Sequence, residues 1–280
     1  MNLLAFNTLP EETARKELFA CCGSEKWADA MMKHFPFVSE KQLVDLSSKI
    51  WYDECGEADW RESFTHHPKI GDVKSLTEKF AGKEQAGVAV ATSETIEALA
   101  KANTDYENKN GFIFIVCATG KSATEMLALL NDRLQNTAEE ELHIAMGEQQ
   151  KISIIRFKKM LPDSDFSFLK VSQITTHVLD TSTGIPGKDI SIRLQAFRNN
   201  TWQTITQGIT NADGRIPDLL AQERNLKPDT YKMVFDTGKY YSGQKTFYPK
   251  VEIIFSTFDE THYHVPLLIN PFGYSTYRGS

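Results

Sequence analysis

The spacing of apolar residues changes part-way along the chain. Up to residue 160, apolar side chains recur every three or four positions, as they do on the buried face of an amphipathic helix. Three series show this spacing most clearly: Leu43, Leu46, Ile50 and Trp51; Met126, Leu129, Leu130 and Leu134; and Leu142, Ala145, Ile152 and Ile155. The pattern predicts an all-α domain over residues 1–162.

Polar residues indicate where some of these helices begin. Thr8-Leu9-Pro10-Glu11, Ser39-Glu40-Lys41-Gln42 and Ser122-Ala123-Thr124-Glu125 each place a hydroxyl three residues before a carboxylate or an amide, which is the pattern of a capping box. Phe112 to Cys117 is the strand-like run of this half, and a short apolar run does not decide its own secondary structure.

A polar stretch at residues 163–170 is predicted to be a linker, and beyond it the period of the pattern becomes two. Ile190, Ile192, Leu194 and Ala196 alternate with other residues, as do Tyr231, Met233 and Phe235. Turn-forming residues separate such runs at positions 183–187, 213–214 and 228–229. Short strands joined by regular turns predict an all-β sandwich over residues 171–280.

Composition narrows the classes of function. The formal net charge of −6 argues against nucleic acid as a partner, and no run of about 20 apolar residues is present to span a membrane. The first residues lack the basic region of an export signal, and the four cysteines form no CxxC pair. We therefore expect a cytoplasmic protein with reduced thiols that acts on small molecules.

Histidines and an arginine stand out in the second half. His262 and His264 are two positions apart and would share one face of a strand, and Thr175 and His177 would share a face of another. Arg215 follows a predicted turn. An imidazole can take a proton from water, and a guanidinium can hold an oxygen on which negative charge develops. Together these groups suit the opening of a cyclic amide without a covalent intermediate.

Two other interpretations of these histidines stay open. A histidine on a strand is most often a hydrogen-bonded structural residue. Alternatively, His262 and His264 could form half of a zinc site with His177 as a third ligand, although no carboxylate is obviously placed to complete it.

Several motifs of this half occur together in one family. Ile174-Thr175-Thr176-His177-Val178-Leu179-Asp180, the loop arginine, and Tyr263-His264-Val265-Pro266-Leu267-Leu268 running on to Tyr277-Arg278-Gly279-Ser280 resemble the 5-hydroxyisourate hydrolases, the transthyretin-related enzymes of urate breakdown. The resemblance covers residues 171–280 and implies a metal-free tetramer with its sites at subunit contacts. The catalytic residues that it implies are His177, Arg215 and His264, and the substrate-binding residues are Tyr277, Arg278 and Ser280.

The first half has its own candidate site. Pro68 restrains His67 to an extended backbone at the end of a predicted helix, and the adjacent His66 must point elsewhere. A helix-terminating turn with solvent-facing histidines is the plain alternative. Glu84-Gln85 offers an acceptor and a donor for a ring with N–H and C=O groups, and Arg156 adds a guanidinium beside an apolar stripe.

His67-Pro68-Lys69-Ile70-Gly71-Asp72, Glu84-Gln85, Gly111 to Ala118, Glu148-Gln149 and Ile155-Arg156 occur in the order found in 2-oxo-4-hydroxy-4-carboxy-5-ureidoimidazoline (OHCU) decarboxylases, which they resemble. The resemblance implies an all-helical domain with His67 as the catalytic acid or base, assisted by Glu84 and Arg156. A neutral His67 could either accept the hydroxyl proton of the substrate or position its carboxylate, and the sequence leaves both roles open. The substrate-binding residues that it implies are Pro68, Gln85, Phe114, Ile115, Val116, Cys117 and Ala118, the last five through main-chain groups. The conjugated ring of the substrate can accept the electron pair, so no cofactor is expected.

The two resemblances together predict a natural fusion that catalyses two consecutive steps of urate degradation. The second domain would hydrolyse 5-hydroxyisourate, and the first would decarboxylate the product to (S)-allantoin. A homo-oligomer, most simply a tetramer, is expected. The alternatives are a transthyretin-like small-molecule carrier without turnover and a fusion with one degenerate domain. A carrier of apolar ligands has no reason to line its channel with charged residues, and both sets of site residues are present.

Overall fold

The computed structural model describes residues 1–67, 93–119, 121–169 and 171–279. The chain divides into two compact units, Met1–Phe168 and Leu169–Ser280. Within the predicted linker, Asp163 forms an ion pair with the terminal amine of Met1, and Ser164 accepts a hydrogen bond from the backbone N–H of Leu3. The linker at 163–170 itself stays a prediction.

The described part of the first unit is helical. Its helices are α1 (Leu3–Phe6), α2 (Glu11–Cys22), α3 (Glu25–Met32), α4 (Glu40–Lys49), α5 (Glu57–Thr65), α6 (Ser93–Asn110), α7 (Ala123–Arg133) and α8 (Ala138–Met160). A π-helical turn, Ile50–Glu54, continues α4. Within the described ranges, no helix combines the length and the apolar character needed to cross a membrane.

The predicted helix starts have different outcomes. Ser39 accepts a hydrogen bond from the backbone of Gln42 at the start of α4, and Ser122 forms a complete capping box with Glu125 at the start of α7. The capping box predicted at Thr8 is wrong. Helix α2 begins at Glu11 with Pro10 at its N-cap, and the Thr8 hydroxyl instead donates to the carbonyl of Ala5 at the end of α1.

Helix α8 buries a mixture of apolar and polar side chains. The predicted apolar stripe is correct at Leu142 and Ala145, but Ile152 is only half-buried, and Ile154 takes the buried position one turn on from Gln150. The middle of the helix buries four polar side chains: Glu148, Gln149, Gln150 and Ser153. Because buried polar groups must be hydrogen-bonded, this part of α8 indicates a built polar site.

The second unit is a β-sandwich, as predicted. Its strands are β1 (Ile174–Thr175), β2 (Val178–Asp180), β3 (Ile185–Pro186), β4 (Ser191–Arg198), β5 (Thr201–Ile209), β6 (Thr230–Phe235), β7 (Val251–Ser256), β8 (Tyr263–His264), β9 (Leu267–Asn270) and β10 (Gly273–Thr276), with a short helix α9 (Thr237–Tyr240). One sheet has the order β10-β9-β2-β3 and the other β5-β4-β6-β7, while β1 pairs with β8. The predicted inward residues Ile192, Leu194, Met233 and Phe235 all lie in the core.

The segment from Ile174 to Asp180 is not one continuous strand. Its first part pairs with β8 and its last part with β9, and His177 between them forms an isolated bridge with Arg215. The predicted alternation still holds, since Thr175 and His177 are half-buried while their neighbours are buried. Because the strand is interrupted here, Thr175 and His177 lie on one face but have different partners.

Candidate active sites

The end of α5 positions His67. The preceding residue, His66, is the C-cap of this helix, and its ring packs against Phe19 with ring centroids 5.0 Å apart. His67 instead hydrogen-bonds through Nε2 to Oε1 of Gln149 on α8. The prediction that the adjacent histidines point in different directions is confirmed.

The contacts of Gln149 fix the proton on the His67 ring. Nε2 of Gln149 donates to the backbone carbonyl of Cys22 at 3.0 Å, so its Oε1 faces His67 and must accept. His67 Nε2 therefore carries the proton, and Nδ1 carries the lone pair. Nη2 of Arg156 lies 3.5 Å from that Nδ1, and Nη1 of Arg156 donates to the carbonyl of Cys21 at 3.1 Å.

The surroundings of the His67 ring favour its neutral form. Burial lowers the pKa of His67 below its usual value, and the nearby Arg156 guanidinium lowers it further, while the hydrogen bond with Gln149 opposes the shift. A neutral imidazole beside a guanidinium can exchange a proton with a ligand that the guanidinium holds by its negative charge.

Two side chains hold the segment from Phe112 to Ala118, in which the strand-like run of the sequence forms none of the described strands. Nη1 of Arg133 donates to the carbonyl of Ile115 at 2.8 Å, and the backbone N–H of Cys117 donates to Glu148 at 2.7 Å. Arg133 is itself buried in an ion pair with Glu141 at 2.8 Å. Since Glu148 and Gln149 are neighbours on α8, the Cys117 backbone and the His67 ring are anchored to adjacent residues.

Some predicted site residues cannot be compared with the structure. Pro68, Glu84, Gln85 and Ser280 lie outside the described residues. Their assignment stays a prediction from the resemblance.

In the second unit, a tight turn brings Arg215 to His177. The side chain of Asn211 accepts the backbone N–H of Arg215 at 3.0 Å, and Gly214 has a φ of 68°. A Cβ at Gly214 would lie 2.3 Å from the carbonyl oxygen of Val178, so only glycine fits there. Nη2 of Arg215 then lies 3.4 Å from Nδ1 of His177.

His264 is held from three sides. Its backbone pairs with Thr175 in the parallel β1–β8 ladder, and its Nδ1 lies 2.9 Å from the Thr175 hydroxyl. The same hydroxyl lies 2.8 Å from Nε2 of His262. On the other side, the N–H of Gly279 donates to the His264 carbonyl at 2.9 Å, and a Cβ at Gly279 would lie 2.4 Å from Cδ2 of the ring.

Burial and positive charge favour the neutral form of the His177 and His264 imidazoles. Burial lowers the pKa of His264, and Arg215, His262 and His177 lower it further. Burial also lowers the pKa of His177, with Arg215 acting in the same direction and a backbone hydrogen bond to Asp213 opposing it. Since Arg215 acts on both rings, the structure brings the three predicted catalytic residues into one electrostatic environment.

The residues of the terminal tail differ in how closely they approach this site. Gly279 touches the His264 ring, whereas Tyr277 is 60% exposed and the Arg278 guanidinium lies over the Tyr263 ring at 5.2 Å. Direct contact of Tyr277 and Arg278 with substrate stays a prediction.

Over the described ranges, no group of three or more histidine, cysteine, aspartate or glutamate residues could hold a metal ion. Thr175 lies between His262 and His264, where a shared metal would otherwise be expected. That neither domain uses a metal stays a prediction.

Sequence reasoning overlooked two side chains that contact the candidate residues. Gln149 was noted only as part of a motif, although a buried amide in the middle of a helix needs a polar partner. Thr175 was placed on the correct face, but its pairing with His264 follows from the β1–β8 register, which joins distant parts of the chain.

Comparison with known proteins agrees with the division of the chain into two units. The OHCU decarboxylase family matches residues 7–158, and the HIUase/Transthyretin family matches residues 174–279. The chain is 32% identical to the uric acid degradation bifunctional protein TTL of Arabidopsis thaliana, over 96% of this chain and 99% of the relative. It is 46% identical to the 5-hydroxyisourate hydrolase of Mus musculus, over 39% of this chain and 96% of the relative.

Among solved structures, (S)-allantoin synthase is similar over 100% of both chains, with 24% identity and a TM-score of 0.47. The two family matches and the nearly full-length relative account for both halves. The chain therefore belongs to the OHCU decarboxylase family and carries a second domain of the HIUase/Transthyretin family, which makes it a bifunctional OHCU decarboxylase and 5-hydroxyisourate hydrolase of urate degradation.

Proposed function

We propose that His264 is the base of the hydrolase and that Arg215 stabilises the charge that develops. Water loses a proton to neutral His264 and attacks a carbonyl of the 5-hydroxyisourate ring. A C–O bond forms, and the ring C–N bond breaks. His264 returns the proton to the leaving nitrogen. Arg215, kept beside the imidazoles by its 3.4 Å contact with His177, faces the negative carbonyl oxygen.

In the first domain, His67 and Arg156 act on OHCU. Arg156 binds the carboxylate, and Nδ1 of His67, which carries the lone pair, takes the proton of the substrate hydroxyl. The C–C bond breaks, CO₂ leaves, and the electron pair enters the conjugated ring. The carbon that carried the carboxylate becomes a carbonyl carbon, and a ring nitrogen takes a proton from solvent. Return of the hydroxyl proton from His67 to one face of the neighbouring carbon, which bears the ureido group, gives (S)-allantoin. The predicted partners Glu84 and Gln85 would hold the ring.

The observation that supports this assignment best is that each unit pairs an imidazole with a guanidinium, at 3.5 Å in the first and 3.4 Å in the second. The test generates 5-hydroxyisourate with urate oxidase and follows it by absorbance, while circular dichroism follows chiral allantoin. We expect His67→Gln to leave the absorbance decay fast and to abolish the chiral product. A wild-type rate of chiral product in this variant contradicts the role of His67.

The second domain also has features that support homo-oligomerisation, for which we propose a tetramer. β7 and β10 are edge strands of their sheets. Large apolar side chains are exposed on or beside them, including Ile254, Phe272 and Tyr274. Light scattering on the purified protein tests the state, and a monomer at micromolar concentration contradicts it.

A cytoplasmic location is proposed from the cysteines. Cys21, Cys22, Cys55 and Cys117 are all buried, and none of them forms a disulfide bond among the described residues. Free thiols are typical of reducing compartments. Fractionation of the source cells tests this location.

A further inference from the structure

One hydroxyl joins two histidines in the second unit. Thr175 Oγ1 lies 2.8 Å from Nε2 of His262 and 2.9 Å from Nδ1 of His264. The two rings are nearly parallel, with an interplanar angle of 20° and centroids 6.4 Å apart, so they flank the hydroxyl. The arrangement is built into the fold, because the β1–β8 register places Thr175 opposite His264.

The hydroxyl can donate to only one of the two rings. A threonine hydroxyl has a single proton and further lone pairs that accept. If both short contacts are hydrogen bonds, one ring must donate to Thr175 and the other must accept from it. The chain His262–Thr175–His264 therefore has two possible directions.

The direction decides which nitrogen of His264 can act as a base. When His264 Nδ1–H donates to Thr175, the hydroxyl donates to His262 Nε2, and the lone pair of His264 lies on its own Nε2. In the opposite direction His262 Nε2–H donates to Thr175, Thr175 donates to His264 Nδ1, and the proton of His264 lies on Nε2. Only the first direction leaves Nε2 able to take a proton from water.

The tautomer matters because His264 is neutral. A protonated imidazole donates from both nitrogens and has no tautomer to choose. Burial, together with the positive charge of Arg215, lowers the pKa of His264 and so favours the neutral ring. The Gly279 tail covers the Cδ2 edge and fixes the ring plane, which leaves the direction of the hydrogen-bonded chain as the variable.

We propose that Thr175 and His262 are positioning residues of the hydrolase: His262 accepts the hydroxyl proton of Thr175, and Thr175 in turn holds the proton of His264 on Nδ1. This inference rests on the proposed role of His264 as the base. It gives His262 a role that needs neither a metal nor contact with substrate.

The experiment compares matched variants of the full-length protein in the hydrolysis of 5-hydroxyisourate. Thr175→Val keeps the shape of the side chain but removes the hydroxyl, and Thr175→Ser keeps the hydroxyl. We expect Thr175→Val to lower kcat roughly 10- to 100-fold with little change in KM, and Thr175→Ser to recover most of it. Thr183→Val, at an exposed position of the same domain, is the control and should match the wild type.

His262 is tested through its coupling to Thr175. His262→Phe removes the acceptor and should lower kcat about as much as Thr175→Val does. The double variant should be no slower than either single variant, because residues that act as one chain are not additive. The melting temperature of the second unit shows that each variant is folded, and unchanged decarboxylation of OHCU by the same samples shows that equal amounts of protein are compared.

A spectroscopic measurement separates a tautomer effect from packing. With ¹⁵N-labelled histidine, the wild-type His264 resonance, identified by its loss in His264→Ala, should show the proton on Nδ1, and Thr175→Val should lose that preference. Wild-type kcat in Thr175→Val, equal losses in the Val and Ser variants, or a proton on Nε2 in the wild type each overturn the proposal. If the His264→Ala variant hydrolyses 5-hydroxyisourate at the wild-type rate, His264 is not the base. The proposed roles of Thr175 and His262 are then wrong as well.

Discussion

At the scale of single residues, both sites use an arginine to keep a histidine neutral. Arg156 lies beside His67, and Arg215 beside His177. A guanidinium stays charged across the working range of pH, so it always disfavours a second positive charge nearby. In the mechanism that we propose, each arginine holds a negative oxygen, and the same charge favours an imidazole that can accept a proton.

The pKa values of the two hydrolase histidines provide the first prediction. Because burial and Arg215 both lower them, His177 and His264 should titrate below about 6.5. Arg215→Gln removes one cause and should raise both pKa values toward that reference. Titration followed by NMR measures them, with Arg198→Gln at an exposed site as the control. Unchanged values in Arg215→Gln would show that the guanidinium does not act on these rings.

The second prediction concerns the separation of the two activities. His177→Ala and His264→Ala should each slow 5-hydroxyisourate hydrolysis by ~10²–10⁴ and leave decarboxylation intact, because removal of a general base has effects of this size. His67→Ala should show the reverse pattern. Separate assays for the two intermediates measure this, with His34→Ala, a histidine-to-alanine change at an exposed position, as the control. Normal hydrolysis in both variants would exclude these residues from the catalytic site.

At the scale of elements, the sequence pattern correctly predicted the features that depend on neighbouring residues alone. Ser122 with Glu125 identified a helix start, and the alternation around Leu194 identified a buried strand face. The box at Thr8 failed because its hydroxyl had a nearer acceptor in the preceding helix. The break at His177 was not predictable from its neighbours, since it depends on which distant strands pair on each side.

The terminal tail provides the third prediction. A Cβ at Gly279 would lie 2.4 Å from His264 Cδ2, so Gly279→Ala must displace the ring or the tail. Hydrolysis should fall ~10²-fold, because a shift of ~1 Å in a catalytic group has effects of that order. Gly273→Ala is the matched control on β10, since its Cβ would make only ordinary contacts, the nearest at 3.5 Å.

Melting temperature distinguishes a displaced base from a damaged fold in this experiment. The tail lies at a sheet edge, so Gly279→Ala should change the melting temperature little. A large fall in melting temperature with full activity per folded molecule would show that the tail is structural.

The fourth prediction concerns the segment from Phe112 to Ala118 in the first unit. Arg133→Lys keeps the positive charge beside Glu141, but a lysine cannot also reach the Ile115 carbonyl in the same forked geometry. We expect a roughly 10-fold loss of decarboxylation, with hydrolysis unchanged as the internal control. Kinetics with OHCU measure this, and a wild-type decarboxylation rate in a folded variant would mean that the segment does not need this anchor.

At the scale of the whole molecule, each of the two units has an apolar core of its own among the described residues. One apolar cluster includes Phe64, Leu99 and Leu130 of the first unit, and another includes Ile192, Met233 and Leu267 of the second. The residues of each candidate site likewise belong to one unit. We therefore expect the two folds to form independently.

The last prediction follows from this independence. Fragments Met1–Phe168 and Leu169–Ser280 should each fold cooperatively and keep, respectively, decarboxylase and hydrolase activity, because each retains its own core and its own imidazole–guanidinium pair. An equimolar mixture should then convert 5-hydroxyisourate to chiral allantoin, measured by circular dichroism against the intact chain at equal activity. A folded fragment without activity would show that its site requires the other unit. A lower chiral yield from the mixture than from the intact chain would measure what covalent fusion of the two enzymes contributes.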